Sequence, residues 1–357
     1  MKTLTLFTLI FVGFVAHAQF EIDSFIYEDE YDFESKFPII RSSENPKAAE
    51  RVNIVLHHRM LEKMYKEDDQ NRFENVFPPE GEFHGASEFE FDILANNERY
   101  FSVAITCAYT GAYTEYSTNY FNFDAKTGQP VQLSDLFGVS AIYDLSEWVS
   151  GAIHAEITAF MKTIDTNDPE GYGAAEQFEM YAECAEWYSE TQTLSNDYYY
   201  LTDTSIVFVR GRCSNHMMAA LDDLWEFHEE YALNEVHSMM SPDGIALMAG
   251  ELLRYKDLDV PEGKIIQGQI GDKYPITMLL SYSYDNYYNG IYWYDKVKQP
   301  IQLSGKQEHG YLHLTEEVSG KSTGSFDLRV INGGMLEGEW KNTDGSKTFD
   351  IKLSIPK

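Results

Sequence analysis

Residues 265–295 read IIQGQIGDKYPITMLLSYSYDNYYNGIYWYD, and this stretch decides the fold of the second half of the chain. Three runs rich in β-branched and aromatic residues alternate with short polar turns, the pattern of successive strands. Five similar runs follow: PIQLSG, YLHLTEE, GSFDLRV, MLEGEW and TFDIKLSI. No connection is long enough for a crossover helix, so neighbouring strands should pair antiparallel. We therefore expect residues 262–357 to form a small all-β antiparallel domain, arranged as a meander, a sandwich or a barrel.

The preceding part of the chain mixes helical and strand patterns. Residues 46–66 repeat apolar positions at steps of three and four, and Asn45 and Pro46 suit a helix cap and a first helical turn. A second amphipathic helix is predicted in residues 141–164, and runs such as FEFDILANNERYFSVAITCAY predict strands. Residues 19–261 are thus predicted to form an α+β domain.

One hairpin combines aromatic and polar residues and is a candidate either for a site or for structural frame. Residues 119–137 read NYFNFDAKTGQPVQLSDLF, in which alternation of Phe121 and Phe123 with polar residues predicts a half-buried strand. Residues 124–128 predict a turn, with Gly128 at a positive φ, and residues 130–133 predict the start of a returning strand. Because each polar residue has a turn or cap role, we interpret this hairpin as structural frame.

The N-terminus predicts export. Residues 1–18, MKTLTLFTLIFVGFVAHA, combine one lysine, an apolar run and a small-x-small end, as in a secretory signal peptide cleaved before Gln19. No later apolar stretch is long enough to span a bilayer, so no transmembrane anchor is expected. The predicted localisation is periplasmic or extracellular.

Three cysteines follow, and an odd number outside the cytoplasm suggests one bridge and one free thiol. Cys107 is in phase with apolar residues of a predicted strand, which favours a buried thiol. Cys184 and Cys213 are therefore the candidate disulfide. No cysteine pair has the spacing of a zinc site.

The negative charge is confined to the first domain. The chain has a formal net charge of −31; residues 19–261 contain 46 acidic and 15 basic residues, and residues 262–357 contain 12 and 11. This charge disfavours nucleic acid and anionic membranes as partners, whereas a cationic protein, a basic peptide or a divalent cation would be attracted. The alternative is that the acidic surface serves only solubility.

A resemblance to a known family rests on three features: FPII at 37–40 with a following helix that contains Asn53, the hairpin 120–137, and YYLTDTSIVF at 199–208 before a closing helix near Leu221. In these features the chain resembles the exported domain-of-unknown-function module of the lysozyme-sensing anti-sigma-V factor, which also accompanies some peptidoglycan deacetylases. The tail, with GIYWYDK, IQLSG, LHLTEE, TGSF and LEGEW, resembles small β domains of exported Bacteroidetes-type proteins.

The resemblance implies a non-catalytic binding module, which in some relatives binds lysozyme, a strongly basic protein. This agrees with the position of the acidic excess. The sequence departs from those relatives in that it shows no transmembrane helix, no sigma-binding segment and no deacetylase domain. No binding residue of the family can be transferred to a numbered position here.

Each group of residues that could suggest catalysis or metal binding also has a structural explanation. His57 and His58 have no third ligand nearby, and the His154–Glu156 pair is not followed by the cysteines of a zinc deaminase. Cys213 and His216 would form a nucleophile pair only without the disulfide. Carboxylate pairs such as 222–223 and 229–230 are expected by chance in so acidic a chain. We predict no catalytic residue, metal or cofactor.

Aromatic residues are the stronger binding candidates. YSYDNYYNGIYWY contains Tyr288, Tyr292, Trp293 and Tyr294, whose exposed rings would stack on sugars or anchor a protein. The alternative is a tyrosine-rich barrel core. The favoured function is an exported, non-enzymatic protein whose acidic domain binds a cationic partner such as a lysozyme-like muramidase or a basic peptide. A cell-wall glycan-binding module is the second hypothesis, and a carboxylate-dependent hydrolase is the third.

Overall fold

The computed structural model describes residues 19–28, 34–79, 84–111, 113–166, 173–255, 259–331 and 333–356. The predicted signal peptide, residues 1–18, lies outside this described part. None of the helices within it combines the length and apolar character that a membrane crossing requires.

The described residues form helices and strands in the following order. The helices are α1 Pro46–Leu61, α2 Leu133–Leu136, α3 Val139–Met161, α4 Ala174–Tyr188, α5 Leu233–Val236 and α6 Pro242–Met248. The strands of the first part are β1 Glu21–Glu28, β2 Glu34–Arg41, β3 Gly85–Asn96, β4 Tyr100–Thr110, β5 Thr114–Asp124, β6 Tyr199–Leu201, β7 Ser205–Arg210 and β8 Phe227–Ala232. Those of the second part are β9 Ile265–Ile270, β10 Tyr274–Tyr282, β11 Tyr287–Tyr294, β12 Ile301–Glu308, β13 Tyr311–Val318, β14 Lys321–Ile331, β15 Met335–Asn342 and β16 Thr348–Ser354.

The first part, which we call the N-terminal module (residues 19–255), is an α+β unit, as predicted. It contains the β1–β2 hairpin and two antiparallel three-stranded sheets, β3-β4-β5 and β6-β7-β8. The buried amide of Asn122 joins these two sheets, since it donates to the Tyr199 carbonyl at 3.0 Å and accepts from the Leu201 N–H at 3.0 Å. The closing helix expected near Leu221 is only a 3₁₀ turn, Ala219–Leu221.

The second part is a closed antiparallel barrel of eight strands, so the all-β prediction is confirmed. Each strand from β9 to β15 pairs with the next strand, and β16 pairs back with β9. Closure leaves no free sheet edge. Apolar side chains fill the interior, among them Met278, Leu314, Phe326 and Leu353.

Three glycines allow neighbouring barrel strands to approach closely. A Cβ atom at Gly268, Gly305 or Gly338 would lie 1.9, 1.8 or 1.9 Å from a carbonyl oxygen of the adjacent strand. Glycine at such points lets a strand bend around a small barrel.

The hairpin at residues 119–137 is structural frame, but its second half differs from the prediction. The turn forms with Gly128 at φ +69°, and a Cβ there would lie 2.2 Å from the Ala48 carbonyl oxygen. The prediction of a returning strand is wrong, because Pro130 makes only an isolated bridge to Phe123 and Leu133–Leu136 form helix α2. The Asp135 carboxylate caps this helix by accepting from the Gln132 N–H at 2.7 Å.

Helix α1 begins as the sequence predicts, since the Asn45 side chain accepts a hydrogen bond from the Ala48 N–H at 3.2 Å. Its most buried polar side chain is His57. Nδ1 donates to the Asn53 carbonyl at 2.8 Å, and Nε2 accepts from Arg72 Nη1 at 2.8 Å. Burial, followed by the charge of Arg72, lowers the pKa of His57 to about 3.

Because the pKa of His57 is lowered on folding, mild acid is expected to destabilise the protein. Between the unfolded pKa of about 6.5 and the folded value, the unfolded chain binds one more proton at this residue, so stability falls as pH falls. This residue alone should remove about 2 kcal/mol between roughly pH 7 and pH 5, measured by urea denaturation. His57→Gln should flatten that slope and His228→Gln, at an exposed histidine, should not; equal slopes in both would contradict the assignment.

The barrel and the N-terminal module share one apolar core. Ile265, Leu279, Ile291 and Trp293, on the outer face of the barrel, belong to the same buried cluster as Val52 of α1. The two parts are therefore packed together and not merely linked.

Polar contacts reinforce this junction. The buried Gln129 amide donates to the Ile265 carbonyl and accepts from the Ile265 N–H, both at 2.9 Å. The buried Lys264 ammonium donates to the Asp135 carboxylate and, at 2.6 Å, to the Pro130 carbonyl. The hairpin predicted as frame thus contributes, together with α1, to holding the barrel.

Candidate functional site

Helix α4 carries a row of exposed glutamates. Glu176, Glu179, Glu183 and Glu186 follow one another at steps of three and four, so they lie along one side of the helix. The opposite side of α4 is buried through residues that include Tyr181. The row is therefore fixed in direction by the packing of the helix.

A groove of about 570 Å³ runs beside this row of glutamates. Its lining includes Glu176, Glu179, Glu183, Trp187, Arg212 and Met218. We call it the acidic groove. The Trp187 indole is 64% exposed and offers an aromatic surface at the same place.

The predicted disulfide forms and lines the acidic groove. Cys184 of α4 is bonded to Cys213, with an S–S distance of 2.02 Å, and both residues line the groove. Cys107 is the free thiol and is half-buried on β4; burial raises its pKa to about 11. The bridge fixes the segment that faces α4.

A buried carboxylate holds the same segment in place. Asp222 accepts hydrogen bonds from the Tyr181 hydroxyl at 2.7 Å, the Ser214 N–H at 2.9 Å and the Trp225 N–H at 3.1 Å. Burial opposes ionisation, but these hydrogen bonds prevail and lower the pKa of Asp222. The second wall of the groove is thus rigidly attached to α4.

The three glutamates that line the groove form no ion pair with a described cation, although Arg212 also lines the groove. Residues 163–209 contain ten acidic residues and no lysine or arginine. Within the described part of the chain, no ion pair involves Glu176, Glu179 or Glu183. The nearby Arg212 instead pairs with Glu115 at 3.5 Å and lies 5.1 Å from the Trp225 ring centroid.

Some acidic residues around α1 are paired with cations. Lys63 contacts both Asp69 and Glu74 at 2.7 Å, and Arg41 contacts Glu67 at 2.9 Å. Part of the negative charge around α1 is therefore compensated by ion pairs, whereas none of the ion pairs among the described residues involves Glu176, Glu179 or Glu183 of α4.

The row of glutamates destabilises helix α4. Like charges at three- and four-residue spacing destabilise a helix by about 0.2–0.5 kcal/mol per pair. Glu186 lies near the C-terminus of α4, where the helix dipole also disfavours negative charge, and the last turn contains no basic residue. The row of glutamates therefore destabilises α4. Such a destabilising row is expected where a surface binds a cationic partner.

The histidine motifs have structural roles. His154 Nδ1 lies 2.8 Å from the Ala185 carbonyl and ties α3 to α4. Cys213 is consumed by the disulfide, and the His216 ring stacks on Tyr113 at 3.9 Å. Over the residues that the structure describes, no group of three or more His, Cys, Asp or Glu side chains is arranged to hold a metal.

The four predicted aromatic binding residues do not form an exposed face. Tyr288, Tyr292 and Trp293 are 7%, 1% and 2% exposed, and Tyr294 is half-buried. Tyr288 and Tyr292 point into the barrel, whereas Trp293 points outward and is covered by the N-terminal module. Burial of these rings corrects the expectation that they make a joint stacking platform.

The acidic groove was not identified from the sequence. Two features of the sequence indicate it: the glutamates recur at steps of three and four, and residues 163–209 contain no lysine or arginine. The segment that faces α4 could not be placed without the fold, because the disulfide spans 29 residues.

Comparisons with known proteins find structural similarity at low TM-scores. No family model and no curated protein matches this sequence. A solved DUF3298 family protein from Bacteroides fragilis is 14% identical, with a TM-score of 0.44 over 64% of this chain and 97% of that chain. Another from Pseudomonas aeruginosa PAO1 is 8% identical, with a TM-score of 0.39 over 64% of this chain and 96% of that chain. These structural neighbours belong to a domain-of-unknown-function family, and we draw no functional conclusion from them.

Proposed function

We propose that this protein is an exported, non-catalytic binding protein whose acidic groove receives a cationic protein or peptide. The observation that carries the proposal is the row of unpaired glutamates on α4 facing a groove with an exposed tryptophan. Lysine and arginine side chains would meet carboxylates along the row and the indole face at Trp187. The groove offers no nucleophile paired with a base, which favours binding over catalysis.

The partner we favour is a basic muramidase of the lysozyme type. The resemblance of residues 37–244 to the extracellular module of the lysozyme-sensing anti-sigma-V factor supports this choice. The uncompensated charge along α4 supports it independently, because electrostatic complementarity steers association with a strongly basic surface. A free basic peptide would use the same contacts.

The test is titration of the mature chain, residues 19–357, with a basic lysozyme by calorimetry. The whole chain is needed because the barrel shares a core with the module. Saturable binding is expected at low salt and, more weakly, at about 0.15 M, where the Debye length is about 8 Å. No saturable binding at either salt concentration would refute the proposal.

Neutralising the groove should weaken binding far more than neutralising another face. The groove variant is Glu176→Gln, Glu179→Gln and Glu183→Gln; the control, with equal charge loss, is Glu90→Gln, Asp92→Asn and Glu98→Gln. We expect about tenfold or greater loss of affinity in the first at ~0.15 M salt and little change in the second. Equal losses would mean that net charge, and not the groove, attracts the partner.

A second candidate function is glycan binding at exposed tyrosines of the barrel. Tyr284 and Tyr287 are 69% and 43% exposed, with ring centroids 5.7 Å apart. Such faces stack on sugar rings. In a peptidoglycan pull-down, Tyr284→Ala with Tyr287→Ala should abolish retention while the groove variant should not; retention of both variants alike would exclude these rings.

A further inference from the structure

The barrel contains a buried carboxylate near one of its ends. Glu316 on β13 is 4% exposed and follows Leu312 and Leu314 in the inward-facing alternation of that strand. A β-bulge interrupts the pairing of β13 with β14 between Glu316 and Glu317. Bulges at barrel rims often redirect a side chain toward a site.

The partners of Glu316 are neutral. Its Oε2 atom accepts hydrogen bonds from the Tyr292 hydroxyl and, at 3.0 Å, from Trp340 Nε1. Among the described residues, no donor contacts Oε1 and no cationic side chain pairs with Glu316. A Cβ atom on Gly324 of the neighbouring strand would lie 2.9 Å from Oε1, so the absence of a side chain at this glycine accommodates the carboxylate. A buried carboxylate without a positive partner is energetically costly.

Aromatic rings surround this carboxylate at the same end of the barrel. The group, which we call the aromatic mouth, consists of Tyr274, Tyr292, Tyr294, Trp340, Phe349 and Glu316. Ring centroids are 6.1 Å apart for Tyr294–Tyr274, 6.2 Å for Tyr274–Phe349, 6.0 Å for Phe349–Trp340 and 5.8 Å for Tyr292–Tyr294. Glu316 accepts hydrogen bonds from Tyr292 and Trp340, the two residues at the ends of this chain of ring contacts, so the six residues form a closed ring of contacts, which we call the circuit. Tyr274 is 47% exposed, so the circuit reaches solvent.

We propose that the aromatic mouth binds a small alkylammonium cation, with its positive charge toward Glu316 and its alkyl groups against the rings. Aromatic faces attract such cations through their quadrupoles, and quaternary ammonium groups are recognised by rings of this kind. The carboxylate supplies the opposite charge in a site of low dielectric, where the attraction is stronger than in water. An anion would be repelled by Glu316, and a neutral ligand would leave its charge uncompensated. This site is independent of the acidic groove.

The experiment compares choline with its neutral carbon analogue dimethylbutanol, each titrated into the mature chain by calorimetry. Choline is expected to bind saturably, and dimethylbutanol at least about tenfold more weakly. The groove variant described above should bind choline unchanged. Absence of saturable choline binding, or equal binding of the two compounds, would overturn the proposal.

Two variants assign the binding to this site. Glu316→Gln retains an acceptor for Tyr292 and Trp340 but removes the charge, and it should weaken choline binding at least about tenfold. Phe349→Leu removes one ring of the circuit and should weaken binding severalfold, which keeps the test decisive if Glu316→Gln fails to fold. Choline affinity that is unchanged in a folded Glu316→Gln or Phe349→Leu variant would overturn the assignment. Nα-Acetyl-lysine amide, which keeps its side-chain ammonium, is expected to bind more weakly than choline; tighter binding than choline would point to a protein lysine, and not a free quaternary amine, as the source of the ammonium group.

Discussion

Replacing Trp293 by alanine is expected to destabilise the protein by about 3–5 kcal/mol, the usual cost of removing a fully buried tryptophan. The indole lies on the outer side of β11, yet it is only 2% exposed because it belongs to the core shared with the N-terminal module. The substitution should therefore also uncouple the two parts, so that a single urea transition becomes two. Fluorescence and circular dichroism followed together would report this change.

The control for Trp293→Ala lies on the same strand. Tyr287→Ala removes a ring that is 43% exposed and should change stability by no more than about 0.5 kcal/mol. If Trp293→Ala cost no more than Tyr287→Ala, the barrel and the module would not share a cooperative core.

The strands of the barrel could be predicted because the position of each strand along the chain depends on local sequence patterns. Alternation and turn residues are read from short stretches, and Asp285 and Asn286 at positive φ form the tight turn that joins β10 to β11. Closure was not predictable, since it depends on pairing between β16 and β9, which lie at opposite ends of the domain. Trp293 is a second example. Alternation along the strand predicts on which face of the sheet the indole lies, but the packing of the N-terminal module determines whether that face is exposed to solvent.

The N-terminal module was predictable to a similar depth. The cap of α1 and the Cys184–Cys213 pair followed from local sequence and from counting cysteines. The apolar residues of 130–133 fit the start of a strand, whereas Leu133–Leu136 form a helical turn that the Asp135 carboxylate caps. The acidic groove needed both the direction of α4 and the position of a distant segment, which no local pattern contains.

Removing the Lys264 charge should have an effect as large as that of Trp293→Ala. The Lys264–Asp135 pair is buried, with side-chain exposures of 0% and 6%, and Lys264 also lies 5.3 Å from the Tyr255 ring centroid. In Lys264→Met the aliphatic stem remains but the Asp135 carboxylate loses its only cationic partner in the described part of the chain. Breaking a buried pair in this way costs about 3–5 kcal/mol, because an uncompensated charge remains inside. Urea denaturation of the mature chain measures the loss.

The double variant distinguishes a lost charge pair from lost packing. Asp135→Asn keeps the shape of the side chain and an acceptor for the Gln132 N–H, so it too should be strongly destabilised while Lys264 stays buried and charged. Lys264→Met with Asp135→Asn removes both charges, and its stability should lie closer to the native protein than the sum of the single losses. A coupling energy of more than about 1 kcal/mol is expected from this cycle. If the two losses were additive, the buried pair would contribute nothing specific to the joining of barrel and module, which would rest on the apolar core around Trp293 and the Gln129 hydrogen bonds.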